Sequence, residues 1–204
     1  MMASKICRLS LTVFLMALFL SASGCARYAR NVSHLYDPVT MSKGGSGTLY
    51  IVTPADKQTK ADDVKWVIGI VKDDDGKKID EVMSSKSAEE LIQDALTQEL
   101  RRSGYSVVAT ASRQPDQVKT VELTKVDLAL EQISDIADLK ASCRISVSLD
   151  VYKKGQLVKK LQYESKNSDR SIKDRNLLAG KVLQDALQSA MQKAVPDLIT
   201  ILEP

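Results

Sequence analysis

Three hydrophobic patterns succeed one another along this 204-residue chain. The first is a nearly unbroken apolar run from Leu9 to Leu20. It is about a dozen residues long, short of the roughly 20 a helix needs to cross a bilayer. Lys5 and Arg8 precede it, and Ser21-Ala22-Ser23-Gly24-Cys25 follow. A positive start, an apolar middle and a small-residue end predict a secretory signal peptide over 1–24.

The second pattern is alternation. Leu49-Tyr50-Ile51-Val52 is a short strand ending at Pro54. Trp66 to Val71 and Lys78 to Val82 flank Asp75-Gly76 and predict a hairpin. Tyr105 to Ala109 is a strand broken by Gln114-Pro115-Asp116. Val126, Leu128 and Leu130 alternate with Asp127, Ala129 and Glu131, and Ile145, Val147, Leu149 and Val151 with Ser146, Ser148 and Asp150. After a turn at Lys153-Lys154-Gly155-Gln156, Leu157, Lys159, Leu161 and Tyr163 share one face, and Ser165 to Asp174 is a polar connection. Strict alternation implies a sheet with one buried and one wet face.

The third pattern has helical period. Ser87-Ala88-Glu89-Glu90 is a capping box, and Ala88, Leu91, Ile92, Ala95, Leu96 and Leu100 then fall on one face. Glu89, Glu90, Asp94 and Glu99 are expected to point mainly outward. Arg101 and Arg102 suit the C-terminal dipole, and Gly104 supplies a left-handed cap. A second helix is marked by Leu178, Val182, Leu183, Ala186, Leu187, Ala190, Met191 and Ala194, with Pro196 expected to kink or stop it after Val195. Leu198 to Leu202 is an apolar tail, either one more turn or a docking segment. The predicted class is α+β: a two-layer, mostly antiparallel sheet with two amphipathic helices packed on one face.

This pattern divides the chain into a signal peptide at 1–24, a flexible tether at 25–47 and a single domain at 48–204. The tether expectation rests on Ser42-Lys43-Gly44-Gly45-Ser46-Gly47, which is linker composition. Arg27 and Arg30 near its start are expected to be solvated charge.

Charge and composition narrow the chemistry. The formal charge is +3, and loss of Lys5 and Arg8 with the signal leaves +1. With 4% aromatic residues and no basic cluster, nothing drives the chain toward nucleic acid. Of three cysteines, Cys7 leaves with the signal, Cys25 follows it and Cys143 is left alone in an alternating segment, as a small core residue. The single histidine, His34, has no Cys or His near it, so no metal site of ordinary spacing is expected. Asp73-Asp74-Asp75 lacks the ligand spacing of a calcium loop and is expected to be a solvated turn. Gly44 to Gly47 lacks the flanking residues of a phosphate loop.

Catalytic constellations are sparse. A Ser-His-Asp triad has only His34 to draw on. Ser165-Lys166 and Ser171-x-Lys173 lie in polar connections, and the adjacent pairs Asp62-Asp63 and Glu89-Glu90 do not converge on one helix face. No catalytic, cofactor-binding or metal-binding residue is therefore assigned.

Ala22-Ser23-Gly24-Cys25 resembles the lipobox of bacterial lipoprotein precursors. That resemblance implies cleavage after Gly24, diacylglycerol on the Cys25 sulfur and acylation of the new amino terminus, with no other cofactor. Ala26 in place of aspartate implies the outer membrane of a Gram-negative cell, on its periplasmic side. Beyond the lipobox, Val52-Thr53-Pro54-Ala55-Asp56-Lys57-Gln58, Val67-Ile68-Gly69, the helix closing on Arg102-Ser103-Gly104-Tyr105 and the final helix from Leu178 to Leu187 resemble the YajG-like family of lipoproteins over most of 48–195. Where that family often carries Asp-x-Arg, this chain has Asp56-Lys57-Gln58. Lipoproteins of lipopolysaccharide assembly and of lipid-transport ABC systems share a similar helix-on-sheet layout, which is a likeness of fold.

The expected function is a lipid-anchored, non-catalytic accessory or binding component of an envelope assembly or transport system. Its partners would be the membrane, through the anchor, and another envelope protein, through the sheet edge or exposed face. The alternatives are an envelope hydrolase, which needs convergent Ser–Lys or carboxylate groups in a deep cleft, and a lipid carrier, which needs an apolar cavity between sheet and helices.

Overall fold

Three long strands form the body of the molecule. β6 (Lys119–Ser134), β7 (Leu139–Lys153) and β8 (Gln156–Ser171) make an antiparallel meander. At about 3.4 Å per residue each spans about 50 Å. The computed structural model describes residues 28–33, 35–53, 65–113, 118–135 and 138–203. The remaining strands are β1 (Asn31–Val32), β2 (Thr48–Val52), β3 (Trp66–Lys72), β4 (Lys78–Ser84) and β5 (Ser106–Thr110), and the helices are α1 (Ala88–Ser103) and α2 (Arg175–Leu202).

The sheet is curled and mixed, a correction to the mostly antiparallel expectation. β2 and β3 both lie along one edge of β6, and both run parallel to it, β2 at Thr120 to Glu122 and β3 at Leu130 to Ile133. β5 pairs parallel with β2, and β1 parallel with β4. Alternation is the same in parallel and antiparallel strands and does not encode direction. Nor does the helix between β4 and β5: β4 runs against β3, and β5 runs with β3, β6 and β2, so the two strands it joins are opposed.

Capping of α1 follows the sequence. Ser87 accepts from Glu90 N–H and Glu90 reaches back to Ser87 N–H, while Gly104 closes the helix at φ 117°. The hairpin of β3 and β4 is also as expected. Three other expectations change. β8 continues to Ser171 through the supposed polar connection, because its helix-side polar groups anchor α2: Ser165 Oγ donates to Ala186 O and Tyr163 OH to Asp197. A bulge opposite Val151 and Tyr152 moves Leu157 across to the outer face, away from Leu161 and Tyr163. Pro196 does not end α2, which runs on to Leu202. The carbonyl that Pro196 leaves without a partner belongs to exposed Gln192, and the buried Leu198 and Leu202 hold the last turns to the core.

Both helices cover the same face of the sheet. That side is filled by Leu96, Leu123, Leu130, Ile145, Leu149, Leu183 and Leu187, all fully buried. Cys143 lies among them, as expected, and burial pushes its thiol up to about 12.

The largest departure concerns 28–47. The described residues of the predicted tether form a strap fastened along the body. Gln132 accepts from Ala29 N–H and donates to Ala29 O, Met83 N–H donates to Arg30 O, and Arg30 pairs with Asp80 at 2.6 Å. Further along, Gln184 and Gln188 donate to Asp37 O, and Gly45 N–H donates to Ser103 O. Linker composition misled because glycine serves close approach here: a Cβ at Gly45 would stand 2.5 Å from the Tyr105 ring.

Candidate functional site

The exposed face of the meander is a ladder of polar rows. Asp127, Ser146 and Glu164 lie side by side, as do Ala129, Arg144 and Lys166, and then Glu131, Ser142 and Ser168. These positions alternate with the core row because successive strand residues face opposite ways. Lys125 pairs with Asp127 at 2.9 Å, Lys72 with Glu131 at 2.6 Å and Lys160 with Asp150 at 3.3 Å. A shallow groove of about 590 Å³ crosses this face, lined chiefly by Lys125, Asp127, Arg144, Ser146, Gln162 and Glu164. Signs alternate along it, which suits polar contact with another macromolecule.

β8 is an edge strand among the described residues. Lys159, Lys160 and Lys166 are exposed on it, a pattern that discourages pairing with a further strand. The face is accordingly a better candidate contact than the edge.

A second polar cluster was not foreseen. Glu99, expected to point outward, is fully buried. Its carboxylate accepts from Tyr36 OH at 2.5 Å, Val39 N–H at 2.8 Å and Thr40 N–H at 3.1 Å. All these donors belong to the strap. Burial, then the neighbouring Glu99 carboxylate, pushes the Tyr36 phenol well above its ordinary value. The signal was present in the helical period: Glu99 follows Ile92 by seven residues, about 20° around the helix, and so lies inside the apolar stripe.

A third cluster closes the far end. Glu203 accepts from Ser46 N–H at 3.2 Å and Ser46 Oγ at 2.9 Å, and pairs with Lys119 at 2.7 Å. Burial works against its ionised form, but the bonds from Lys119 and Ser46, with Tyr105 close by, outweigh it and hold the carboxyl at about 2. The cluster ties strap, sheet and the last turn of α2 together.

Among the described residues, the sequence-derived chemical candidates Ser165, Ser171 and Asp73 are each engaged elsewhere. Ser165 is bonded to Ala186 O, and Lys166, the next residue along the strand, faces the other way. Ser171 Oγ accepts from Asp174 N–H. Asp73 Oδ1 accepts from Lys77 N–H and shapes the hairpin turn. Among the described residues no group of three or more His, Cys, Asp or Glu is placed to hold a metal ion, and no helix is long and apolar enough to cross a membrane. Gly24, Cys25, His34, Asp62 and Asp63 lie outside the described residues.

No family model matches the chain, and no curated protein matches it. Solved structures do. The crystal structure of protein XCC0632 from Xanthomonas campestris, described under the family model DUF330, is 11% identical, with a TM-score of 0.50 over 84% of this chain and 95% of that one. A minor lipoprotein from Acinetobacter baumannii is 9% identical, with a TM-score of 0.44 over 75% of this chain and 92% of that one. The rare lipoprotein B from Shewanella oneidensis is 11% identical, with a TM-score of 0.30 over 65% of this chain and 90% of that one. At these identities the likeness to the Xanthomonas structure shows the fold alone, and two of the three neighbours are described as lipoproteins.

Proposed function

We propose that this chain is a lipid-anchored lipoprotein of the bacterial cell envelope, serving as a non-catalytic binding component of an assembly or transport system. The observation that carries it is the apolar run ended by Ala22-Ser23-Gly24-Cys25. Cleavage after Gly24 would free the Cys25 amino group, and acyl chains on Cys25 would hold the domain, each buried methylene adding about 0.8 kcal/mol. Ala26 and the sequence resemblance to YajG-like lipoproteins favour the periplasmic side of the outer membrane. The polar face of β6, β7 and β8 is where an envelope partner would bind. The filled helix side of the sheet argues against a lipid carrier, and the separation of Ser165 from Lys166 against a Ser–Lys hydrolase.

Cys25→Ser is expected to abolish incorporation of labelled fatty acid and to remove the protein from the outer-membrane fraction. Unchanged labelling and fractionation would overturn the anchor. Photo-crosslinkers at Ser146 and Gln162 are expected to trap a discrete partner in intact cells. A partner trapped instead from Gln192, on the exposed side of α2, would move the binding face.

A further inference from the structure

The strap fixes which end of the molecule meets the membrane, given the lipid on Cys25 proposed above. Cys25 precedes Tyr28 by three residues, a span of at most about 11 Å when fully extended. Tyr28 is not free to wander. Its hydroxyl meets Asp80 at 3.3 Å, and the next residue, Ala29, is bonded through both backbone groups to Gln132. Gln132 lies beside Ile133, in the last rows of the sheet, where Lys72, Ile133, Lys140 and Arg170 stand abreast. The acyl chains would therefore enter the bilayer close to this end of the sheet.

The same end carries exposed apolar surface. β8 stops at Ser171 and α2 starts at Arg175, beside the β6–β7 turn, where Arg175 donates to Asp135 O. Ile172 is 69% exposed and Leu177 65% exposed, on either side of Lys173, Asp174 and Arg175. The opposite end, with the turn at Lys154-Gly155 and the Glu203 cluster, lies about 50 Å away along the strands. Charge does not decide the orientation: at the near end Asp73, Asp74, Asp75, Asp135 and Asp174 offset Lys77, Lys78, Lys140, Lys173 and Arg175, while Lys72 and Arg170 pair with Glu131 and Asp138. Apolar exposure alone does not decide it either, since Val118, Leu157 and Val158 are about half exposed at the opposite end; the short link from Cys25 does, and it brings Ile172 and Leu177 to the membrane.

We infer that the β8–α2 junction is a membrane-contact knuckle, with Ile172 and Leu177 seated in the headgroup–acyl boundary of the leaflet that holds the Cys25 lipid. The body then stands upright on the membrane, and the groove on its polar face lies partway up the exposed height.

The test uses the full chain, purified with its lipid and reconstituted into vesicles of phosphatidylethanolamine with a minor share of phosphatidylglycerol and spin-labelled lipid. Single reporters are placed at Ile172→Cys, Leu177→Cys and Gln156→Cys. Cys143 is buried and does not compete for the label. Fluorophores at 172 and 177 are expected to lose most of their emission to the lipid quencher, and the one at 156 to keep it. Equal quenching at 156, or none at 172 and 177 in protein whose mass includes the Cys25 lipid, overturns the knuckle and leaves the anchor standing. A mature amino terminus without lipid mass overturns both.

Discussion

Glu203 sits at the far end of the chain yet holds two other segments in place, which makes its ionisation a stability determinant. Its side chain is 15% exposed and its carboxyl is held near 2, below the ordinary value of 4.5. A depressed carboxylate contributes stability that is present above its unfolded value and lost as pH falls through its folded one. Unfolding free energy is therefore expected to decline between about pH 4.5 and pH 2. Glu203→Gln should flatten that part of the profile in urea titrations at stepped pH; an unchanged slope would show the cluster to be unimportant. At this scale the sequence was legible wherever the local pattern has one meaning. Ser87, Glu90, Gly104 and Cys143 stand where their neighbours dictate. Glu99 reads as outward by its charge, yet its place in the apolar stripe buries it. Glu203 was invisible because its partners, Ser46 and Lys119, are distant in sequence.

Among the elements, α2 shows how tertiary packing overrides propensity. Proline inside a helix costs about 3 kcal/mol, yet 28 residues run as one helix because both its ends are fastened. Lys153 donates to Ile201 O near one end and Arg175 to Asp135 O near the other. Pro196→Ala restores a donor to Gln192 O but loosens the unfolded chain by about 0.4–1 kcal/mol. The expected net is a gain of about 2 kcal/mol, read as a raised midpoint in urea; a lowered midpoint would mean that the ring packs better than alanine. Strand existence was legible from alternation, but strand direction and the extent of β8 were not. β8 past Tyr163 is polar on both faces, and only the α2 groups it meets explain why Ser165 and Asp169 belong to a strand.

Across the whole molecule, the strap joins what the sequence divided. Glu99 is its central fastening. Glu99→Ala leaves the buried donors Tyr36 OH and Thr40 N–H, together with Val39 N–H, without their acceptor. The expected cost is about 2–4 kcal/mol. In hydrogen exchange the amides of Val39 and Thr40 should be protected in the wild type and fast in Glu99→Ala, with Ile145 unchanged. Fast exchange in the wild type would restore the free tether. The polar face of the meander, by contrast, could be anticipated as a wet face from alternation alone. Its groove required knowledge of which strands stand side by side.

The strap also changes what governs distance. Residues 28–47 would stretch to about 70 Å if released, but they lie stowed along the body they would otherwise hold off. The working length of the connection is then set by the strength of a few fastenings, at Gln132, Asp80, Glu99 and Ser103, rather than by the number of residues in it. A load on the proposed lipid anchor would have to break those fastenings in order, from the near end, before any length is released. The chain behaves as a latched cable, short while the latches hold.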